Sequence, residues 1–153
     1  MAKINSAHSK NDIILVSACL AGINCRHDGG NCLDPEIARM WRLGQAYPVC
    51  PERLGGMTTP RAPSEIVHGS GGDVILGDAS VVNELGEDVT KFFVFGAWQT
   101  LKLVRELKIK RAILKNHSPS CGLGKIYREG RLVKGDGVCV FLLLQEGISI
   151  QSR

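Results

Sequence analysis

Three short apolar runs punctuate the chain, and each delivers a cysteine at or just past its carboxyl end. Ile13-Ile14-Leu15-Val16-Ser17-Ala18 leads into Cys19, and Ala46-Tyr47-Pro48-Val49 leads into Cys50. Ala112-Ile113-Leu114 passes through Lys115 and a hydroxyl-rich turn to Cys121 and Gly122. Runs that are apolar without alternation suit strands covered on both faces, so strands are predicted over about 12–18, 45–49 and 111–115. Helical signals fall between them. Asp34 as N-cap and Pro35 at the first helical position open a helix that should carry Ile37, Met40 and Trp41 inward and stop at Gly44. The longest 3.6-residue stripe, Val89, Phe93, Ala97, Leu101, Val104 and Leu107, predicts a helix that Asp88 can cap.

The remaining patterns are shorter. Asp73–Asp78 and Ser80–Leu85 read as two extra strands in a hairpin-like excursion. Ile126-Tyr127 and Leu132-Val133 flank Glu129-Gly130, as two extended pieces around a turn would. Val138–Leu144 is apolar throughout; Gly147 as a stop makes it a helix, with Ile148–Ile150 as a last strand. The segment 20–32 is a loop rich in Gly and Asn. From Pro51 to Glu65, three prolines and two adjacent glycines argue against regular structure, and so long a loop in a small domain is usually functional. Alternating strands and helices predict a single-domain, three-layer α/β sandwich over residues 12–153, with a mainly parallel, Rossmann-like sheet. Residues 1–11 are a polar, poorly ordered lead. In such a sheet the carboxyl ends of the strands lie along one edge, where ligands bind. Three thiols remote in sequence can therefore meet there.

Composition narrows the chemistry. Hydrophobic content of 44% and charged content of 22% are those of an ordinary globular domain, and 5% aromatics imply an aliphatic core. A formal charge of +4 permits an anionic partner without requiring one. Neither a signal peptide nor a membrane-length apolar segment is visible, which predicts a cytoplasmic protein with no membrane association. Six cysteines in a reducing compartment are then metal or cluster ligands, reactive thiols or small buried hydrophobes, not a disulfide framework. There is no Cys-x-x-Cys pair. Cys139, inside an apolar run, reads as core, and Cys25 and Cys32, in a polar loop, as incidental thiols or additional ligands. Cys19, Cys50 and Cys121 remain as a shared site whose soft thiolates favour zinc, copper(I) or an iron–sulfur cluster.

The same segments carry a resemblance. Ser17-Ala18-Cys19-Leu20 with Gly22 and Cys25-Arg26-His27-Asp28-Gly29, Pro48-Val49-Cys50-Pro51-Glu52 with Leu54-Gly55-Gly56, and Thr59-Pro60-Arg61-Ala62-Pro63-Ser64-Glu65-Ile66 resemble the thiouracil desulfidase family. The likeness continues through Gly86-Glu87-Asp88-Val89-Thr90, Phe95-Gly96-Ala97, Ala112–Lys115, Ser118-Pro119-Ser120-Cys121-Gly122 and Gly135-Asp136-Gly137-Val138. It implies a 4Fe-4S cluster on Cys19, Cys50 and Cys121 with one open iron. It also implies removal of sulfur from thiolated uracil, as free base, nucleotide or 4-thiouridine in tRNA. The thiocarbonyl becomes a carbonyl and sulfide is released, without net redox change. Water must be activated and protons managed. Glu52, Ser120 and Ser118 are the candidates, with Glu65 a weaker one; His27 and His117 are loop histidines, a further ligand or an acid–base group. Arg26, Arg61, Lys115 and Lys125 are candidates for substrate phosphates, which position a polynucleotide without reading its sequence. No obligatory protein partner is evident. Two alternatives stay open: a non-catalytic zinc or nucleic-acid-binding module built on the same thiolates, and an enzyme with Cys121 as nucleophile.

Overall fold

All three cysteine-bearing runs are strands of one sheet in the computed structural model, which describes residues 12–153; the polar lead, 1–11, lies outside the described residues. The elements in chain order are β1 (Ile14–Ser17), α1 (Pro35–Arg42), β2 (Ala46–Val49), α2 (Pro51–Leu54), β3 (Ser64–Val67), α3 (Gly71–Leu76), β4 (Ser80–Asn83), α4 (Thr90–Glu106), β5 (Arg111–Leu114), β6 (Lys125–Arg128), β7 (Arg131–Lys134), α5 (Val138–Gln145) and β8 (Ser149–Ser152). The central sheet has the order β2-β1-β5-β8 and every pairing in it is parallel. From β1 the chain first builds outward through α1 to β2, then returns to the other side of β1 for β5 and β8. The order therefore reverses between β1 and β5, and the carboxyl ends there form the crevice in which open α/β sheets bind ligands.

Each face of the sheet has its own core. Ile14, Val16 and Ile113 pack with Ile37 and Met40 of α1 on one face. Leu15, Ala112 and Leu114 pack with Phe93, Ala97 and Leu101 of α4 and with Val140 and Leu143 of α5 on the other. Each fully buried aliphatic side chain contributes about 1.5–3 kcal/mol, so this double covering stabilises the layered arrangement. Cys139 sits in the second core at 1% exposure, and burial pushes its thiol up to about 12; it is a small hydrophobe. Among the described residues no helix is long and apolar enough to cross a membrane.

Several elements depart from the sequence pattern. Residues 73–76 belong to helix α3, not to a strand, because the Asp73 carboxylate reaches back to the Ser70 N–H at 2.8 Å and Gly77, at φ 86°, closes the other end. The partner of β4 in the antiparallel pair is β3, whose first two residues belong to the segment predicted to lack regular structure. That segment also opens with α2, where Pro51 takes the first helical position after Cys50. Trp41 is 43% exposed, because the inward row of the two-turn helix α1 is only Ile37 and Met40. Leu107 is 39% exposed: it lies beyond the last residue of α4, and Ile109 takes the inward place after the chain reverses.

Candidate active site

The carboxyl ends of β1, β2 and β5 open into one cleft of about 770 Å³. Cys19, Cys50 and Cys121 all line it. After β1 the chain makes a single 3-10 turn, Ala18–Ala21, which Gly22 ends at φ 94°. The carbonyl of Cys19 accepts from Gly22 N–H at 3.2 Å and from Cys32 N–H at 2.9 Å, so the 22–32 loop folds back over it. Cys50 is the residue between β2 and α2. Gly55 and Gly96 let α2 and α4 meet backbone to backbone: a Cβ on Gly96 would lie 1.9 Å from the Pro51 carbonyl oxygen. Cys121 is set by a hydroxyl turn in which the Ser118 Oγ accepts from its N–H at 2.7 Å and the Ser118 carbonyl accepts from Gly122 N–H at 2.9 Å. The amides that open α5 hold this turn from behind, Val138 N–H donating to the Pro119 carbonyl at 2.8 Å and Cys139 N–H to the Ser120 carbonyl at 3.0 Å.

A fourth thiol joins the three. Cys25 is 3% exposed, lines the cleft, and is in hydrogen-bonding contact with the thiols of Cys19 and Cys50. The Cys50 thiol faces the Cys25 carbonyl at 3.8 Å and the Glu52 carboxylate at 3.4 Å. These surroundings favour the protonated thiol at Cys25, Cys50 and Cys121. Cys25 rises to about 11, chiefly through the adjacent Cys19 thiol. Cys50 rises through its bond to Cys25, burial and the Glu52 charge, and Cys121 through burial and then Glu52. Burial and the Glu52 charge both work against a Cys121 thiolate, the opposite of the surroundings that activate a nucleophilic cysteine. Sequence spacing leaves Cys25 undecided, since only the folding back of the 22–32 loop brings it to the other thiols.

The other predicted residues divide into two groups. Glu52, Glu65, Ser118, His27, His117, Arg26, Arg61 and Lys115 all line the cleft. Among the described residues Glu52 pairs with neither Arg53 nor Arg61; its carboxylate accepts from the Cys50 thiol. Arg61 donates instead to the Thr58 carbonyl and the Thr59 hydroxyl, both at 3.2 Å, and Arg26 to the Cys32 thiol at 2.8 Å. Lys115 Nζ donates to Asn116 Oδ1 at 2.7 Å. Glu65 is occupied as acceptor of the Glu129 N–H at 2.8 Å. Ser120 stands apart: at 1% exposure it is packed beneath the start of α5 and does not line the cleft. Lys125 is exposed on β6, also outside the lining. Asn116 and Tyr127 are lining residues that the sequence pattern does not single out.

Comparison with known proteins bears on this arrangement. The profile of a family described as 2-thiouracil desulfurase matches residues 14–153. The chain belongs to the 2-thiouracil desulfurase family. That places it among enzymes. A solved structure of a [4Fe-4S]-dependent thiouracil desulfidase, TudS, superposes with a TM-score of 0.81 at 38% identity, over 93% of this chain and 91% of that one. YbbK of Bacillus subtilis (strain 168), an uncharacterised protein, is 43% identical over 144 residues, covering 92% of this chain and 95% of its own.

The donor set of this desulfurase-family cleft fits a soft metal group. Thiols are the ligands that iron–sulfur clusters use, and here several converge from separate strand ends. Among the described residues no three His, Cys, Asp or Glu side chains close on a single-ion position. Ligands of a polynuclear cluster each bind a different iron, so they surround it and need not share a point.

Proposed function

We propose that the protein is a [4Fe-4S]-dependent desulfidase that converts the thiocarbonyl of a thiolated uracil to a carbonyl with release of sulfide. The observation that carries this is the common cleft of Cys19, Cys50 and Cys121, set on the switch point between β1 and β5. These three thiolates would hold the cluster. Bound there, it supplies an open, sulfur-seeking Lewis-acid iron. The protein's own groups account for the rest. Glu52 is the proton-handling group: loss of the Cys50 thiol proton ends its bond to the carboxylate and leaves that carboxylate free to accept from water. Ser118 acts through its hold on the Cys121 backbone. Arg26, Lys115 and Arg61 edge the cleft with positive charge, which supports a nucleotide or a tRNA nucleotide as substrate. A base within RNA would leave its stack to enter.

The test is anaerobic reconstitution with iron and sulfide, followed by assay on 2-thiouracil, 4-thiouridine monophosphate and 4-thiouridine-containing tRNA. A brown protein with about four irons per chain that releases sulfide and the oxygenated base is expected. A colourless protein loaded with zinc and inactive on all three substrates refutes the proposal.

A further inference from the structure

The β6–β7 hairpin is the most positively charged element of the structure, and the cleft does not use most of it. Lys125, Arg128, Arg131 and Lys134 face a single acid, Glu129, so the hairpin holds three of the chain's net four positive charges. Strand register sorts these residues by face. Lys125 pairs with Lys134 and Tyr127 with Leu132 across the antiparallel ladder, and all four are exposed. Ile126 points the other way into the core, and Arg128 is tied down by its bonds to the carbonyls of Ile66 and Gly69. One face of the hairpin is therefore an aromatic–aliphatic pair with a lysine on each strand beside it, while Arg131, paired with Arg128, belongs to the opposite face.

This face is joined to the cleft. Tyr127, 47% exposed, is also a lining residue of the cleft. His117 braces it: the rings meet edge to face with centroids 5.5 Å apart, and the Tyr127 N–H donates to the His117 carbonyl at 3.3 Å. The loop from His117 to Cys121 thus fixes a half-exposed ring at the mouth of the thiol-lined cleft. An exposed aromatic flanked by cations on a small sheet is the arrangement on which single-stranded nucleic acid binds, its bases stacking on the ring and its phosphates meeting the lysines.

We infer that the outward face of the β6–β7 hairpin is a docking surface for single-stranded RNA. Tyr127 would stack the base next to the one in the cleft, and Lys125 and Lys134 would follow the backbone. This rests on the proposed function only for which base enters the cleft. Docking itself requires no sulfur chemistry.

Binding of an oligouridylate of about twelve nucleotides, without thiolation, to the anaerobically prepared holoprotein tests it. The comparison strand has the same length and charge with its bases removed. The base-bearing strand should bind about tenfold more tightly than the abasic one. Tyr127→Ala should erase that preference and Tyr127→Phe should keep it. The Lys125→Gln, Lys134→Gln double variant should weaken both strands and lower the slope of log affinity against log salt by about 1.4. Equal binding of the two strands, an unchanged preference in Tyr127→Ala, or an unchanged salt slope in the double variant would each overturn the inference. Failure of the desulfidase reading would show differently, as absent sulfide release with these binding results intact.

Discussion

The backbone N–H of Lys115 donates to the Ser17 hydroxyl at 2.8 Å. Ser17 is the last residue of β1 and is 3% exposed; Lys115 is the first residue beyond β5. The bond therefore clamps the two strands where they splay to form the cleft, two residues before Cys19. The same hydroxyl faces the Cys121 thiol and favours its ionised form. Ser17→Ala should lower unfolding free energy by about 1–3 kcal/mol through the unpaired amide, and should lower the iron content after reconstitution. Urea denaturation of the apoprotein and iron analysis of the reconstituted protein measure the two effects separately.

Substitution of the thiols sorts ligands from bystanders. Cys19→Ala, Cys50→Ala and Cys121→Ala should each abolish the visible absorption of the reconstituted protein. Cys32→Ala should leave the iron content at the wild-type level, since Cys32 contacts Arg26 outside the thiol group. Full iron content in any of the first three variants would remove that residue from the ligand set.

Glu52→Gln keeps the size and polarity of the side chain and removes its basicity. Turnover should fall by about 10²–10⁴-fold with no loss of iron, the range for a positioned acid–base group. Wild-type turnover in this variant would assign the proton to another group.

Gly96→Ala tests the α2–α4 contact that places Cys50 and Glu52. A methyl group 1.9 Å from the Pro51 carbonyl oxygen cannot be accommodated without moving α2. The expected destabilisation is about 1–3 kcal/mol, with reduced iron content, read from urea midpoints and metal analysis. Gly77→Ala makes a useful contrast, because an added methyl there meets nothing within 4 Å and only the φ of 86° is unfavourable. It should destabilise without affecting iron.

Acid sensitivity should trace in part to Asp34. Burial pushes its carboxyl up, but the Arg153 guanidinium at 2.7 Å and the N–H groups of Glu36 and Ile37 outweigh this and hold it below the usual carboxylate range. The folded state thus favours the ionised form. The stabilisation, about 1.5–3 kcal/mol for a charged hydrogen bond, is fully present above the unfolded carboxyl value near pH 4 and is lost as pH falls through the lower folded value. Asp34→Asn should lie below wild type in unfolding free energy at pH 7, and the gap should close toward pH 2. A gap independent of pH would mean that the Asp34 charge contributes nothing.

Local physics wrote much of this structure into the chain. The runs of β1 and β5 are strands with buried residues on both faces, which need no alternation, whereas β2 at the sheet edge leaves Tyr47 exposed. Asp34-Pro35 starts α1 and the stripe from Val89 to Val104 packs α4, since capping and helical period are properties of neighbouring residues. Even the carboxyl-end placement of the three thiols follows from parallel connectivity. Tertiary structure decided what depends on distant partners. The strand that pairs with β4 begins in a proline-rich segment whose own pattern predicts none, and it is a strand only through that pairing. Cys25 reaches Cys19 and Cys50, Ser120 is withdrawn under α5, and Tyr127 is braced at the cleft mouth, each through contacts that no helical or strand period encodes. Period and capping are short-range and can be read along a sequence; the depth of a side chain and the identity of its neighbours are fixed only when the layers close on one another.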